Sequence, residues 1–133
     1  MIEGDEMKTK EMKVGIMSYE YFKKYTIAIA AGKYQPQKNE PKVWFESIET
    51  MSQVLSTKNV ALLKLIEKNR PQSISELADL SGRKKSNLSR TLKTFAKYGI
   101  IDIEERKRTK VPIPKATCFK IEYGKEYPEF GGI

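Results

Sequence analysis

The chain contains no histidine and only one cysteine, Cys118. Without histidine it lacks the side chain most often used as a general base near neutral pH and as a transition-metal ligand. A single cysteine excludes an intrachain disulfide, and no cluster of residues has metal-ligand spacing. Glycine-rich loops of the kind that cradle phosphates are also missing. Apolar runs long enough to span a bilayer are absent. The opening residues mix acidic and basic side chains and hold no apolar signal-peptide core, so a reducing, cytoplasmic location is expected. Together these absences argue against an enzyme, and no cofactor or metal is expected. Cys118 lies in an alternating stretch and reads as a half-buried small apolar side chain rather than a nucleophile. Glu104 and Glu105 adjoin a basic loop and read as local charge balance.

Positive charge is abundant and unevenly placed. The 133 residues carry a formal net charge of +8, and 39% of them are apolar, enough for one compact domain with an appendage. Residues 81–120 hold twelve lysines and arginines against only Asp102, Glu104 and Glu105. The remainder of the chain is therefore close to neutral. A basic surplus confined to one segment points to a polyanionic partner.

Local patterns divide the chain into four parts: a disordered tail over residues 1–11, an N-terminal appendage over 12–55, a main unit over 56–123 and an irregular C-terminal tail over 124–133. Residues 12–17 are expected to form a short strand. Ser18 is placed to cap a helix over 19–33, whose apolar face is read as Phe22, Tyr25, Thr26, Ile29 and Ala30. A loop with Pro36 and Pro41 precedes the strand formers Val43, Trp44 and Phe45. Ser47 caps a helix over 48–55, with Glu49 in its first turn and Met51, Val54 and Leu55 inward.

From Thr57 the order of elements changes. A helix capped by Thr57 runs to about Asn69, with Val60, Leu63 and Ile66 inward. Ser75 caps a short helix over 76–80 that buries Leu77, Ala78 and Leu80. Ser81 and Gly82 turn the chain into a third helix over 85–98, which Gly99 stops in the left-handed position. A strand over 100–105, a basic loop over 106–115 stiffened by Pro112 and Pro114, and a strand over 117–123 returning as a hairpin complete the unit. Helix, short helix, turn, helix and hairpin is the order of a winged helix-turn-helix, so an α+β fold of that type is expected, with a short strand and helix appended at the N-terminus.

The third helix carries the functional expectation. If Leu88 faces the core, Leu92 and Phe95 share its side. The other side then presents Ser86, Ser89, Arg90, Lys93 and Lys97, flanked by Asn87, with no acid among them. Arginine suits the O6/N7 edge of guanine, asparagine the N6/N7 edge of adenine, and lysine and serine suit phosphates. Lys84 and Lys85 at the helix entry would reach the backbone. Arg106, Lys107, Arg108 and Lys110 form the candidate wing, lying along a phosphate strand or entering the minor groove. These residues imply a protein that binds double-stranded DNA sequence-specifically. An RNA-binding module shares the basic groove and stays open as an alternative.

The runs Ser73-Ile74-Ser75-Glu76-Leu77-Ala78, Ser86-Asn87-Leu88-Ser89-Arg90-Thr91-Leu92-Lys93 and Tyr98-Gly99-Ile100-Ile101 resemble winged-helix regulators of the MarR and ArsR types. With Phe45-Glu46-Ser47-Ile48-Glu49 upstream, the chain looks like the small MarR-like antitoxin or autoregulator group. The resemblance implies an autorepressor of its own operon, or an antitoxin whose main role is to bind a co-transcribed toxin-like protein. The aromatics Tyr19, Tyr21, Phe22, Tyr25, Trp44 and Phe45 have two readings, core of the appendage or an interface. Too short for a generous core of their own, residues 12–55 are expected to pack on the DNA-binding unit and on a second copy, giving a homodimer.

Overall fold

The computed structural model describes residues 10–129. Residues 1–9 of the expected N-terminal tail and 130–133 of the C-terminal tail lie outside them. The described chain is an α+β fold with the order β1 (Glu11–Ile16), α1 (Tyr19–Ala30), β2 (Val43–Phe45), α2 (Ile48–Val54), α3 (Thr57–Asn69), α4 (Ile74–Ser81), α5 (Lys85–Lys97), β3 (Ile101–Arg106), β4 (Thr109–Pro114) and β5 (Cys118–Glu122).

Serine hydroxyls begin four of the five helices. Ser18, Ser47, Ser56 and Ser73 each accept a backbone N–H of the first turn of α1, α2, α3 and α4. This satisfies one of the donors that an α-helix leaves without an internal partner. Two expected caps are corrected here. Ser56, not Thr57, caps α3, and Ser73, not Ser75, caps α4. Ser73 prevails because Glu76, three residues on, donates its N–H to the Ser73 hydroxyl at 3.0 Å, while its carboxylate accepts the Gln72 N–H at 3.1 Å. This reciprocal arrangement is close to a capping box.

The strands assort differently from the expectation. β1 lies between β2 and β5 and is parallel to both, with Val14 level with Val43 on one side and with Ile121 on the other. The stretch over 117–123 therefore does not return as a hairpin onto residues 100–105. That place is taken by β4, which pairs antiparallel with β3 from Arg106 opposite Thr109 to Ile101 opposite Pro114. The expected loop over 106–115 is thus mostly strand, closed by the two-residue turn Lys107-Arg108. Its prolines are compatible with the ladder for a definite reason. Arg106 and Thr109, flanking a two-residue turn, form a hydrogen-bonded pair, and such pairs alternate along an antiparallel ladder. Pro112 and Pro114 then fall at the other positions, where the backbone nitrogen points away from β3 and no ladder bond is lost.

One core joins the N-terminal third to the rest. Val14, Val43, Phe45, Met51 and Val54 belong to the same buried cluster as Leu63, Ile66, Leu77, Leu88, Leu92, Phe95, Ile100 and Ile101. Residues 12–55 are built into the fold rather than attached to it. The tail expected to end at Glu11 is likewise tied down, because Glu11 opens β1 and the Lys10 ammonium meets Glu67 at 3.1 Å.

The opposite face of the sheet carries α1. Met17, Tyr25 and Ala28 are buried there with Tyr21, Phe22, Ile29, Tyr34, Trp44 and Tyr127 packed around them. The face of α1 turned inward is centred on Tyr25 and Ala28, and Thr26 and Ala30, expected inward, are exposed. Most of the aromatics considered for an interface are therefore spent inside the chain, Tyr19 excepted. Gly15 leaves room for the ring of Trp44, its neighbour on β2, since a Cβ there would sit 2.6 Å from that ring. The buried Glu40 carboxylate accepts the hydroxyls of Tyr25, at 2.8 Å, and Tyr34. Burial, then the hydrogen bond to Glu40, pushes the Tyr25 phenol up to about 12.

Candidate nucleic-acid interface

α3, α4 and α5 form the helical unit that presents the basic segment. α3 ends at Arg70, in the left-handed conformation with φ 49°, and Pro71 follows. α4 ends at Gly82, φ 75°, where absence of a Cβ lets the chain reverse direction into α5. Leu80, expected inward, is 42% exposed, so α4 is held mainly by the fully buried Leu77.

α5 divides by its periodicity as expected. Leu88, Leu92 and Phe95 are buried. Ser86, Asn87, Arg90, Lys93 and Lys97 are exposed, with Ser89 half-buried. Thirteen residues give a rod about 20 Å long. Shallow grooves flank its outer face. On one side Asn87, Arg90, Thr91 and Thr94 meet Gln53, Val54 and Asn59 at the junction of α2 and α3. On the other, Ser89, Leu92 and Lys93 face Ile74 of α4 and Ile103, Lys110 and Pro112 of the hairpin. Lys84 occupies the N-cap position of α5 and makes no side-chain cap bond, unlike the serines of the other four helices. The first-turn N–H groups of α5, beside Lys84 and Lys85, are left without that side-chain acceptor.

The hairpin tip is built against backbone preference. Lys107 has φ 48° and Arg108 φ 70°. Both central residues of this turn are left-handed, a geometry that favours Asn-Gly or Asp-Gly. Two long cationic side chains stand there instead, both exposed. Left-handed backbone costs roughly 1–2 kcal/mol for each residue with a Cβ.

Not every cation of the segment faces outward unengaged. Arg106 is bound to Glu104, Nη2 to Oε1 at 2.6 Å, and donates from Nη1 to the Gln72 side chain at 3.2 Å. The Thr109 hydroxyl donates to the Gln72 carbonyl at 3.1 Å. Arg106 thus docks the hairpin onto the loop between α3 and α4, which sets the angle of the tip relative to α5. Arg83 is similarly employed. It donates to Asn59 Oδ1 at 3.1 Å, to the Lys58 carbonyl at 2.9 Å and, at 3.5 Å, to Asn87 Oδ1. It ties the entry of α5 to the N-terminus of α3. Gln72, Asn59 and Arg83 are positioning residues that the sequence does not single out, because their partners are distant along the chain.

Among the described residues no helix is long and apolar enough to cross a membrane, and no group of three His, Cys, Asp or Glu could hold a metal. Cys118 is half-buried in β5. Comparison with curated proteins and with solved structures finds no match. Residues 54–121, from the end of α2 into β5, match the HVO_A0114 family, and since this is half of the sequence, the chain belongs to the HVO_A0114 family.

Proposed function

We propose that the chain is a winged helix-turn-helix protein that binds duplex DNA sequence-specifically and regulates transcription, acting as repressor of its own operon. α5 lies in the major groove, and the β3–β4 hairpin is the wing. The observation that carries this reading is the outer face of α5: Ser86, Asn87, Arg90, Lys93 and Lys97 are exposed without one acid, over a buried row of Leu88, Leu92 and Phe95. A merely solvated helix gains from i,i+4 ion pairs, which this face forgoes. Lys84 and Lys85 supply phosphate contacts at the helix entry, Lys93 and Lys110 line the groove toward the wing, and Lys107 and Arg108 reach the adjacent backbone or minor groove.

The test is selection of bound sequences from a randomised duplex pool, followed by titration of the selected duplex, a shuffled duplex and a structured RNA at several salt concentrations. An enriched motif that binds at least about 10³-fold more tightly than the shuffled duplex is expected. Equal affinity for all three would leave only a polyanion-binding surface, and preference for the RNA would replace DNA as the ligand.

The wing yields its own prediction. Lys107→Asn combined with Arg108→Gly installs the favoured turn pair and is expected to stabilise the fold by about 1 kcal/mol, read from denaturant midpoints. The same change removes two cations, so affinity should fall on every duplex alike, with a log–log salt slope shallower by about two. Unchanged binding would remove the tip from the interface.

A further inference from the structure

The three-stranded sheet ends on one side in β5, and its outer edge pairs with no strand among the described residues. Exposed edges are usually blunted by charge, proline or a covering element, because they template pairing with other chains. Here the edge shows Ile121, 52% exposed, and is followed by Tyr123, 65% exposed. We infer that β5 pairs antiparallel with β5 of a second copy, about a twofold axis through Ile121, joining two three-stranded sheets into one of six strands. This inference stands on the edge itself and does not depend on the DNA reading.

The register follows from backbone direction and charge. The Cys118 N–H donates inward to the Lys10 carbonyl at 3.0 Å. With the two-residue period of a strand, Lys120 and Glu122 also turn their backbone groups to β1, and Phe119, Ile121 and Tyr123 turn theirs outward. Facing residues in an antiparallel pair must share this orientation, so a twofold axis must pass through a residue position. Centred on Lys120, the pairing sets Lys120 against Lys120, and centred on Glu122 it sets Glu122 against Glu122. Both oppose like charges directly. Centred on Phe119, it leaves Lys120 facing Cys118 and sets Ile121 against Thr117, which is buried. Centred on Ile121, it places Ile121 on itself, Phe119 against Tyr123 of the second copy, and Lys120 against Glu122 of the second copy, each of the last two pairs made twice. Aromatic cross-strand pairs are a favourable kind, and Lys120 and Glu122, which within one chain already meet Glu11 and Lys13, oppose each other without like-charge repulsion. The outward-facing backbone of Ile121 makes the central pair a hydrogen-bonded one.

Light scattering of the full chain at micromolar concentration should give the mass of a dimer, without DNA. Ile121→Lys places two cations on the axis at an exposed position and should give a monomer with an unchanged circular dichroism spectrum, whose melting temperature, unlike that of the parent chain, no longer rises with protein concentration. In a Cys118→Ser background, Ile121→Cys should form a covalent dimer on mild oxidation, because a hydrogen-bonded antiparallel pair has its Cα atoms about 5.5 Å apart, inside the range a disulfide spans. Tyr123→Cys in the same background, four residues out of register with its own copy, should remain uncrosslinked. A monomeric full chain, a dimer that survives Ile121→Lys, or equal crosslinking at 121 and 123 would each overturn the inference.

Discussion

Phe95→Ala is expected to cost about 3–5 kcal/mol of folding stability, the largest single-residue loss on α5. The ring is fully buried in the cluster that joins the sheet strands β1 and β2 to α2, α3, α4 and α5. Truncation removes the transfer free energy of the ring and leaves a cavity between layers fixed by many other contacts, so collapse is only partial. Stabilities of single domains lie around 5–15 kcal/mol, so this loss brings the chain near the threshold of folding. Urea denaturation followed by circular dichroism is the measurement. A midpoint that moves without a change of slope would assign the loss to the folded state, and a loss below about 1 kcal/mol would contradict the placement of Phe95 in the core. At a temperature where the variant is fully folded, its DNA affinity should be close to that of the parent chain, because Phe95 lies on the face of α5 away from the exposed cations.

Arg90→Ala should behave in the opposite way. Arg90 is exposed beside Asn87, Thr91 and Thr94, in the groove between α5 and the α2–α3 junction. Removing a surface side chain of this kind changes stability by about 0.5 kcal/mol or less. On the selected duplex, loss of a bidentate guanine contact is expected to cost about 1–3 kcal/mol, a factor of roughly 5 to 150 in affinity, and to relax the preference at one base pair in each bound site. On a shuffled duplex the loss should be much smaller and limited to a change of salt slope. Titration of both duplexes at several salt concentrations separates the two contributions. If affinity falls by the same factor on both, Arg90 acts only as a charge, and base reading by this face of α5 is wrong. The two variants lie five residues apart on one helix, and their effects should fall almost entirely on different observables.

That contrast was legible in the sequence because it is local. Helical periodicity alone separates Leu88, Leu92 and Phe95 from Ser86, Arg90 and Lys93, and the structure buries the first set and exposes the second. The serine caps at Ser18 and Ser47 and the left-handed glycines Gly82 and Gly99 are local in the same sense. The choice of Ser73 over Ser75 is local as well: Ser73 has Glu76 three residues on, the capping-box spacing, whereas Ser75 has Ala78 there.

Strand partnership belonged to the tertiary structure. Alternation over 117–123 announces a strand and its faces but contains nothing about which strand lies beside it, and β1, more than a hundred residues earlier, claims it. The hairpin tip was hidden for a second reason. Lys107-Arg108 lacks the residues that signal a two-residue turn, and Pro112 and Pro114 read as strand breakers until the register shows their nitrogens facing away from β3. Composition and local pattern determined the helices, the inner and outer faces of α5 and the confinement of the basic surplus to one segment, because each depends on neighbours a few residues apart. Long-range pairing decided that residues 12–55 share the core, that Arg106 and Arg83 hold elements together, and that β5 ends the sheet among the described residues with an open edge. Those outcomes depend on which of several compatible surfaces meet, and that choice is made by the packing of the whole chain.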